Sequence, residues 1–257
     1  MKKRNYAQIS VFIILALLII VVILGVIFFN KTLKKSELQT ILTKLEINAR
    51  ADEVQSFIFN CLEDTSRDSL TIIGIQGGYY NKPEKNVDFG LVFIPYYYYL
   101  GEIIMPSKEK IEQELADYVD NNLEFCFQEL PYEEFIIKLS DSKTTVLIED
   151  KQVNFNTISK ISFIKSDFSV EYNLGNYHVI IESELSDIID LASYITDSHK
   201  ENSDMICISC VAEIAERKNL YVDMLDFGDE NTSLIVISEN YTSSEKYVFE
   251  FLNKYGE

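Results

Sequence analysis

The chain has 257 residues, of which 47% are hydrophobic and 25% charged, and its formal net charge is -18. Residues 1–35 hold six basic residues and no acidic ones, so residues 36–257 hold 17 basic and 41 acidic residues, a net charge of -24. Such an acidic surface repels nucleic acid and anionic lipid, which argues against a nucleic-acid partner. The acidic part is long enough for one or two compact domains.

A membrane helix is predicted near the N-terminus. Ile9 to Phe29 are 21 residues of almost pure Ile, Val, Leu and Phe, and no charged residue lies between Arg4 and Lys31. A helix rises about 1.5 Å per residue, so the run covers roughly 30 Å, the thickness of the hydrocarbon core. A buried core helix seldom needs so long a run that is apolar on every side. Residues 1–8 then form a basic leader, and residues 30–50 form a helical stalk with apolar residues at helical spacing.

The orientation of this helix has to be judged from more than its flanking charges. The two flanks carry three basic residues each, so the positive-inside rule does not decide the orientation. Three other features place the C-terminal domain outside the cell. The N-terminal tail is short and basic like the start of a secretory signal, the four cysteines are even in number, and glycosylation sequons begin at Asn231 and Asn240. We therefore expect a single-pass protein of the cell membrane with an extracellular, disulfide-permissive C-terminal domain.

The N-terminal run from Lys2 to Phe12 resembles the class III signal of archaeal type IV pilin-like proteins. In that family a basic leader ends in a small residue, and a membrane peptidase cuts before a residue such as Gln. The resemblance implies a cut between Ala7 and Gln8, after which the hydrophobic helix remains as an anchor or a filament core. Tyr6 stands where a basic residue is usual, and Phe12 stands where many pilins carry a Glu that aligns subunits. A pilin-like filament subunit is therefore an alternative to a plain anchor.

Several stretches of the remaining chain are similar to membrane-anchored proteins of small-genome (DPANN-type) archaea. The resemblance covers most of the chain and implies a place in an archaeal envelope, but it implies no activity. The stretches that carry it are Phe57 to Tyr80, Ile94 to Tyr98, Met105 to Cys126 and Cys207 to Asp223.

Helical spacing of apolar residues predicts two helices in the part of the chain that follows the stalk, residues 51–140. The first is closed by glycines, which adopt the left-handed conformation that ends helices. The second begins near Pro106 and Ser107 and is stopped by Pro131, and a strand at Leu91–Leu100 lies between the two. The two apolar faces consist of Val54, Phe57, Ile58, Cys61, Leu62 and Thr65, and of Ile111, Leu115, Tyr118, Val119, Leu123 and Cys126.

After Asp141 the apolar period changes from about 3.6 to 2, which predicts an antiparallel β meander. Its turns are expected at Lys165–Asp167 and Asn173–Asn176. The whole is an α+β protein in which an N-terminal transmembrane helix with a stalk precedes a helical region, the meander and C-terminal α/β elements. A boundary near residues 131–145 would separate the helical part from a β-rich part, residues 141–257, although a single domain is possible. The C-terminal elements are helices at Ser186–Thr196 and Ser203–Arg217 and strands at Leu220–Leu225, Ser233–Ser238 and Lys246–Leu252.

Cys61 and Cys126 both lie on apolar helix faces, where two interpretations are open. They can be buried thiols, which are common in protein cores. They can also form a disulfide across 65 residues, worth about 3–4 kcal/mol through the loss of loop entropy. An extracellular location favours the disulfide.

The motif Cys207-Ile208-Ser209-Cys210 is the most specific chemical signal in the chain. Ser203 or Asp204 is expected to cap the helix, which would place both sulfurs in its first turns, where the helix dipole lowers a thiol pKa. However, a polar loop precedes the motif where a thioredoxin-type fold has an apolar strand, and no proline follows it. We expect a short structural disulfide or paired thiols, with a thiol–disulfide oxidoreductase as the alternative. Cys61 and Cys126 lie too far apart in sequence to complete a zinc site, so no metal is expected.

Other residues of possible functional interest carry weaker signals. The run Tyr96–Tyr99 can form a binding surface, but alternate strand residues face opposite sides, so we expect one pair in the core and the other exposed. His178 and His199 are the only histidines, and nucleotide-binding and hydrolase motifs are absent from the sequence. We therefore expect a non-enzymatic structural or interaction protein without a cofactor. Its expected partners are the membrane, envelope proteins or other copies of the chain.

Overall fold

The computed structural model describes residues 51–127, 136–165, 168–201, 207–228, 231–239 and 247–256. The predicted leader, membrane helix and stalk lie outside the described residues. Within those ranges, none of the helices combines the length and the hydrophobicity that crossing a bilayer requires. Residues Ser56–Glu257 form one compact unit.

The described residues form a mixed α+β fold, and the predicted class is confirmed. The helices are α1 (Ala51–Ile75), α2 (Lys108–Phe127), α3 (Leu185–Glu201) and α4 (Ile208–Arg217). The strands are β1 (Asn86–Asp88), β2 (Phe93–Tyr99), β3 (Glu102–Ile103), β4 (Ile136–Glu149), β5 (Gln152–Lys165), β6 (Phe168–Glu182), β7 (Leu220–Asp226), β8 (Thr232–Glu239) and β9 (Val248–Lys254).

The strands form two sheets. The first has the order β1-β2-β9-β8-β7, with the short β3 also paired to β2. Its pairs are antiparallel except for β2 and β9, which run parallel. The second sheet is the expected meander, with β4, β5 and β6 paired in sequence order.

The meander has longer strands than the sequence predicts, and the turn expected at Asn173–Asn176 is wrong. That segment lies inside β6, which runs from Phe168 to Glu182 without a break. The register shifts here, because Thr157 pairs with Tyr177 whereas Ser159 pairs with Leu174. A β-bulge on β6 therefore absorbs one extra residue, and the Asn- and Gly-containing segment accommodates the bulge instead of reversing the chain.

The core of the first sheet is aromatic and receives the end of α1. The Tyr97 ring stacks on the Phe251 ring with a centroid distance of 4.3 Å, and the Tyr97 hydroxyl donates a 2.9 Å hydrogen bond to the Gly77 carbonyl. Gly77 has φ +54°, and a Cβ atom there would lie 2.6 Å from the Glu250 carbonyl oxygen. The glycine is needed both for its left-handed conformation and for the close approach of the chain to β9.

A bulge in β2 changes the expected arrangement of the four tyrosines. The pairing of β2 with β9 shifts between Tyr96 and Tyr98, and the side-chain oxygen of Asn253 accepts the Tyr98 backbone N–H at 3.1 Å. Two tyrosines are buried as expected, but they are the neighbours Tyr97 and Tyr98, 0% and 6% exposed, and not an alternating pair. The rings of Tyr96 and Tyr99 remain half-exposed and meet edge to face at 5.0 Å.

A fully buried carboxylate fixes the chain that follows α1. Glu114 on α2 is 0% exposed, and its Oε2 atom accepts backbone N–H groups from Tyr80 at 2.8 Å and Asn81 at 2.7 Å. Its other oxygen lies 2.5 Å from the Lys110 ammonium. A buried carboxylate is tolerated only when it is paired and hydrogen-bonded in this way, so Glu114 holds the turn and α2 together.

Two further acidic residues of α2 cover the outer edge of β4. Glu112 accepts the Ile148 backbone N–H at 2.8 Å, and Asp120 accepts the Thr144 N–H at 3.2 Å and the Thr144 hydroxyl at 2.7 Å. Edge N–H groups that are satisfied by side chains are closed to pairing with another chain. These contacts join residues on both sides of the proposed 131–145 boundary, and the division itself remains a prediction.

A disulfide connects α1 to α2. It joins Cys61, which is 1% exposed, to Cys126, with a Cα–Cα distance of 5.7 Å. The disulfide closes a loop of 65 residues, which includes the turn held by Glu114 and strands β1 to β3 of the first sheet. Cross-linking so long a loop restricts the unfolded chain strongly.

Replacing Cys61 and Cys126 together by alanine should lower the free energy of unfolding by about 4 kcal/mol, because a loop of 65 residues is released. Denaturant titration of the full chain measures the loss. The matched control is the Cys207→Ala, Cys210→Ala variant, which opens a bridge of sequence separation 3 and should cost much less. Equal losses in the two variants would contradict the entropic account.

Candidate functional site

The Cys207–Cys210 pair lies at the start of α4. The helix begins at Ile208 with Cys207 itself as the N-cap, so the expectation that Ser203 or Asp204 caps this helix is wrong. The Cys207 sulfur accepts the Cys210 backbone N–H at 3.3 Å, the bond that a capping hydroxyl would otherwise accept. The two residues form a disulfide with a Cα–Cα distance of 5.2 Å.

The two sulfurs of this pair differ in their surroundings. Cys207 is exposed, whereas Cys210 is half-buried inside the first turn. The Ser209 hydroxyl lies 3.5 Å from the Cys207 sulfur. On reduction, a Cys207 thiolate would be stabilised by the Cys210 N–H and the positive end of the helix dipole. Cys207 is therefore the sulfur that an external thiol can reach and the better thiolate of the two.

An apolar groove of about 390 Å³ lies between α4 and β7. The two elements are consecutive in the chain, and the groove lining includes both Ile208 at the start of the helix and Met224 towards the end of β7. Val211, Ala215 and Leu220 are buried in the floor. Ile208 and Tyr221 form exposed lips, with 72% and 58% of their surface accessible. The lining consists of Ile208, Val211, Ala212, Ala215, Glu216, Leu220, Tyr221, Val222 and Met224.

The elements that form the groove are acidic on their exposed surfaces. Glu216 lines the groove itself, Glu213 is exposed on the same helix, and Asp223 and Asp226 are exposed on β7. Arg217, the basic residue of α4, pairs with Glu213 at 2.8 Å. An apolar groove on an acidic part of the surface suits a ligand that is both apolar and basic.

The remaining candidate residues do not join this site. Asn231 is exposed in the turn before β8, where a glycan has room, and the following Thr232 is buried. His178 is exposed on β6. Ala7, Gln8 and Asn240, like the side chain of His199, lie outside what the structure describes. Within the described ranges, no three His, Cys, Asp or Glu side chains are close enough to hold a metal ion.

Sequence reasoning missed a buried carboxylate on β8. The Oε1 atom of Glu239 accepts the Ser183 hydroxyl at 3.0 Å and the Glu184 backbone N–H at 2.7 Å, which fixes the chain entering α3. Burial raises the pKa of Glu239 above its ordinary value, and the neighbouring Glu184 carboxylate adds to the effect. The alternation of β8 places Glu239 on the inner face, and this is the one signal in the sequence that could have located it.

Two lysines pair with acidic residues at the start of α3, close to this carboxylate in the chain entry that it fixes, and connect distant elements. Lys151, in the β4–β5 turn, forms ion pairs with Glu184 and Asp187, and the hydrogen bond to Glu184 raises the Lys151 pKa. Lys218, at the end of α4, pairs with Asp187 as well. The cluster ties the meander, α3 and α4 together, so it is a structural junction.

No protein family, curated protein or solved structure matches the chain. The geometry of the described residues supports two chemistries at one end of the first sheet. The exposed Cys207 sulfur can take part in disulfide exchange, and the groove can bind an apolar, basic ligand. Sequence reasoning identified the cysteines from their spacing, but the groove depends on the packing of α4 against β7, which spacing does not reveal.

Glu239→Gln should raise the free energy of unfolding at neutral and alkaline pH. The raised pKa means that the protonated form stabilises the fold at low pH and that this contribution is lost as pH rises through the folded-state pKa. Gln keeps the acceptor oxygen for Ser183 and Glu184 and does not ionise. Denaturant titrations across pH should show the difference between variant and parent disappear on acidification. Glu171→Gln, an exposed control on β6, should change little at any pH, and a variant less stable than the parent at pH 8 would contradict the expectation.

Proposed function

We propose that the chain is a single-pass membrane protein that presents an acidic α+β domain outside the cell in a binding or structural role. The observation that carries the proposal is that all four cysteines of the chain are disulfide-bonded. Disulfides persist in extracellular and other oxidising compartments and are rare in the cytosol. The two disulfides therefore support a location of the domain outside the membrane.

The anchor in this proposal is the apolar run Ile9–Phe29, and the leader before it is cut between Ala7 and Gln8. Both parts rest on the length of the run and on the resemblance of the N-terminus to archaeal type IV pilin-like signals. A pilin-like filament subunit in an archaeal envelope uses the same helix to contact other copies. The exposed sequon at Asn231 supports an external domain in either form.

Protease added to intact cells should degrade the domain beyond residue 36, because the proposal places that part of the chain outside the membrane. Immunoblotting with antibodies to the domain measures its loss. A cytosolic protein followed in the same sample is the control for cell integrity. A domain that survives until the cells are lysed would remove the external placement.

A second candidate function is thiol–disulfide exchange at Cys207 and Cys210. The exposed Cys207 sulfur at the N-cap of α4 is the observation that favours it. A substrate thiolate would attack this sulfur, and Cys210 would leave with the electron pair of the broken S–S bond, giving a mixed disulfide. A second substrate thiol would then form the substrate disulfide and release Cys207 as a thiol. In this reaction the substrate dithiol is oxidised and the Cys207–Cys210 disulfide is reduced.

Mild reductant should open the Cys207–Cys210 disulfide before the buried Cys61–Cys126 one, and the fold should persist. Alkylation in graded redox buffers, read by mass spectrometry, gives both potentials. Exchange catalysts lie between about -270 and -120 mV. We expect a more negative value and no turnover of a dithiol peptide, as for a structural bridge. A potential inside that range together with peptide oxidation would establish the enzyme instead.

A further inference from the structure

β7, which forms one side of the groove, is an edge strand whose backbone another chain can pair with. Among the strands that the structure describes, β7 lies at one edge of the first sheet, and it pairs with β8 through seven consecutive residue pairs without a register shift. A regular edge strand presents a row of backbone N–H and C=O groups that another extended chain can pair with. The edge of β4 differs, since Glu112 and Asp120 accept two of its backbone N–H groups, those of Ile148 and Thr144.

Side chains alternate along β7 in a way that suits an added strand. Leu220, Val222 and Met224 line the groove beneath α4, whereas Tyr221, Asp223 and Leu225 alternate with them and are exposed. An extended ligand paired with β7 has the same period of two. Every second side chain of such a ligand would enter the apolar groove, and those between would lie beside the exposed row.

The charges around the groove select the ligand. Asp223 lies at the centre of the exposed row, between Tyr221 and Leu225, and Glu216 lies on the helix side. A Lys or Arg at an outward position of the ligand would pair with Asp223, and its alkyl chain would pack on Tyr221. A second copy of this chain is a poor occupant, because pairing β7 with itself places two acidic edge strands, each with Asp223 and Asp226, side by side.

We infer that β7 and α4 form a strand-addition site for an extended polypeptide segment in which apolar residues alternate with Lys or Arg. This deepens the proposed binding role and rests on it for the biological setting. The groove supplies pockets for the apolar residues, the edge of β7 supplies backbone hydrogen bonds, and Asp223 selects the positive charge.

The probe is a fluorescent eight-residue peptide of alternating Val and Lys, with blocked ends. Fluorescence anisotropy measures its binding to the full chain in phosphatidylcholine nanodiscs, with empty nanodiscs as a blank. A peptide of the same composition with its four lysines grouped together controls for charge attraction to the acidic surface. Binding of the alternating peptide and not of the grouped peptide is expected. Equal binding of both would overturn the inference.

Backbone pairing is tested with two N-methylated forms of the probe, each modified on alternate residues. Only one set of N–H groups faces β7 in a strand-addition complex, so one form should lose binding and the other should keep it. Loss or retention in both forms would contradict pairing with β7.

Three variants locate the site. Ala212→Trp fills the groove from the exposed side of α4 and should abolish binding. Asp223→Lys should weaken binding of the Val-Lys peptide by about tenfold and create binding of a Val-Glu peptide. Asp64→Lys, an exposed change of the same kind on α1, should do neither. Circular dichroism confirms that each variant is folded. Peptide binding that persists in Ala212→Trp would contradict a binding site between α4 and β7.

Sedimentation of the same nanodisc samples addresses the competing occupant. A self-association that Ala212→Trp abolishes would identify a second copy as the natural ligand and overturn the charge argument. The protease experiment on intact cells is independent of all these measurements. If the domain is external but binds no peptide, only the strand-addition site is rejected. If the domain binds the peptide but is internal, only the proposed location is rejected.

Discussion

The parallel pairing of β2 with β9 is the constraint on which the first sheet depends. β9 lies between β2 and β8, so it joins the strands that follow α1 to the C-terminal strands β8 and β7. The pairing works because Asn253 supplies the acceptor that the bulge at Tyr98 needs, and because Tyr97 stacks on Phe251. The absence of a side chain at Gly77 lets the end of α1 reach the same strand. Without the Asn253 side chain, the Tyr98 backbone N–H would lose a buried acceptor.

Acidic residues have two separate roles in this molecule. Among the residues that the structure describes, most acidic side chains are exposed, and they contribute to the strong negative charge of residues 36–257. Four others are hydrogen-bond acceptors that organise backbone: Glu112 and Asp120 cover the edge of β4, Glu114 fixes the turn after α1, and Glu239 fixes the entry to α3. A charged acceptor forms stronger hydrogen bonds than a neutral one, but its desolvation must be offset by those bonds. At Glu239 the effect of burial exceeds that of the hydrogen bonds, so its pKa is raised above the ordinary value.

Local patterns in the sequence predicted most of the elements and the cysteine positions, whereas long-range contacts decided what the patterns missed. Helical spacing around Cys61 and Cys126 placed both on inward faces, because periodicity reports burial directly. The bulges at Tyr97 and Asn173–Asn176 depend on partner strands, so period-two reasoning placed a wrong pair in the core and a turn inside β6. The prediction that Ser203 or Asp204 caps α4 was wrong, because the Cys207 sulfur accepts the capping hydrogen bond. The groove arises only when α4 folds back on β7.

The place of β9 in the sheet also determines when the first sheet can form during synthesis of the chain. β9 follows every other described element in chain order, and yet it is an inner strand of the sheet. The first sheet therefore cannot be completed before β9 has been synthesised. Its completion requires contacts between residues that are far apart in the sequence. For the external domain that we propose, the chain could therefore pass through a narrow translocation channel before this sheet closes. The aromatic core would then form on the far side, where oxidation can form the Cys61–Cys126 disulfide.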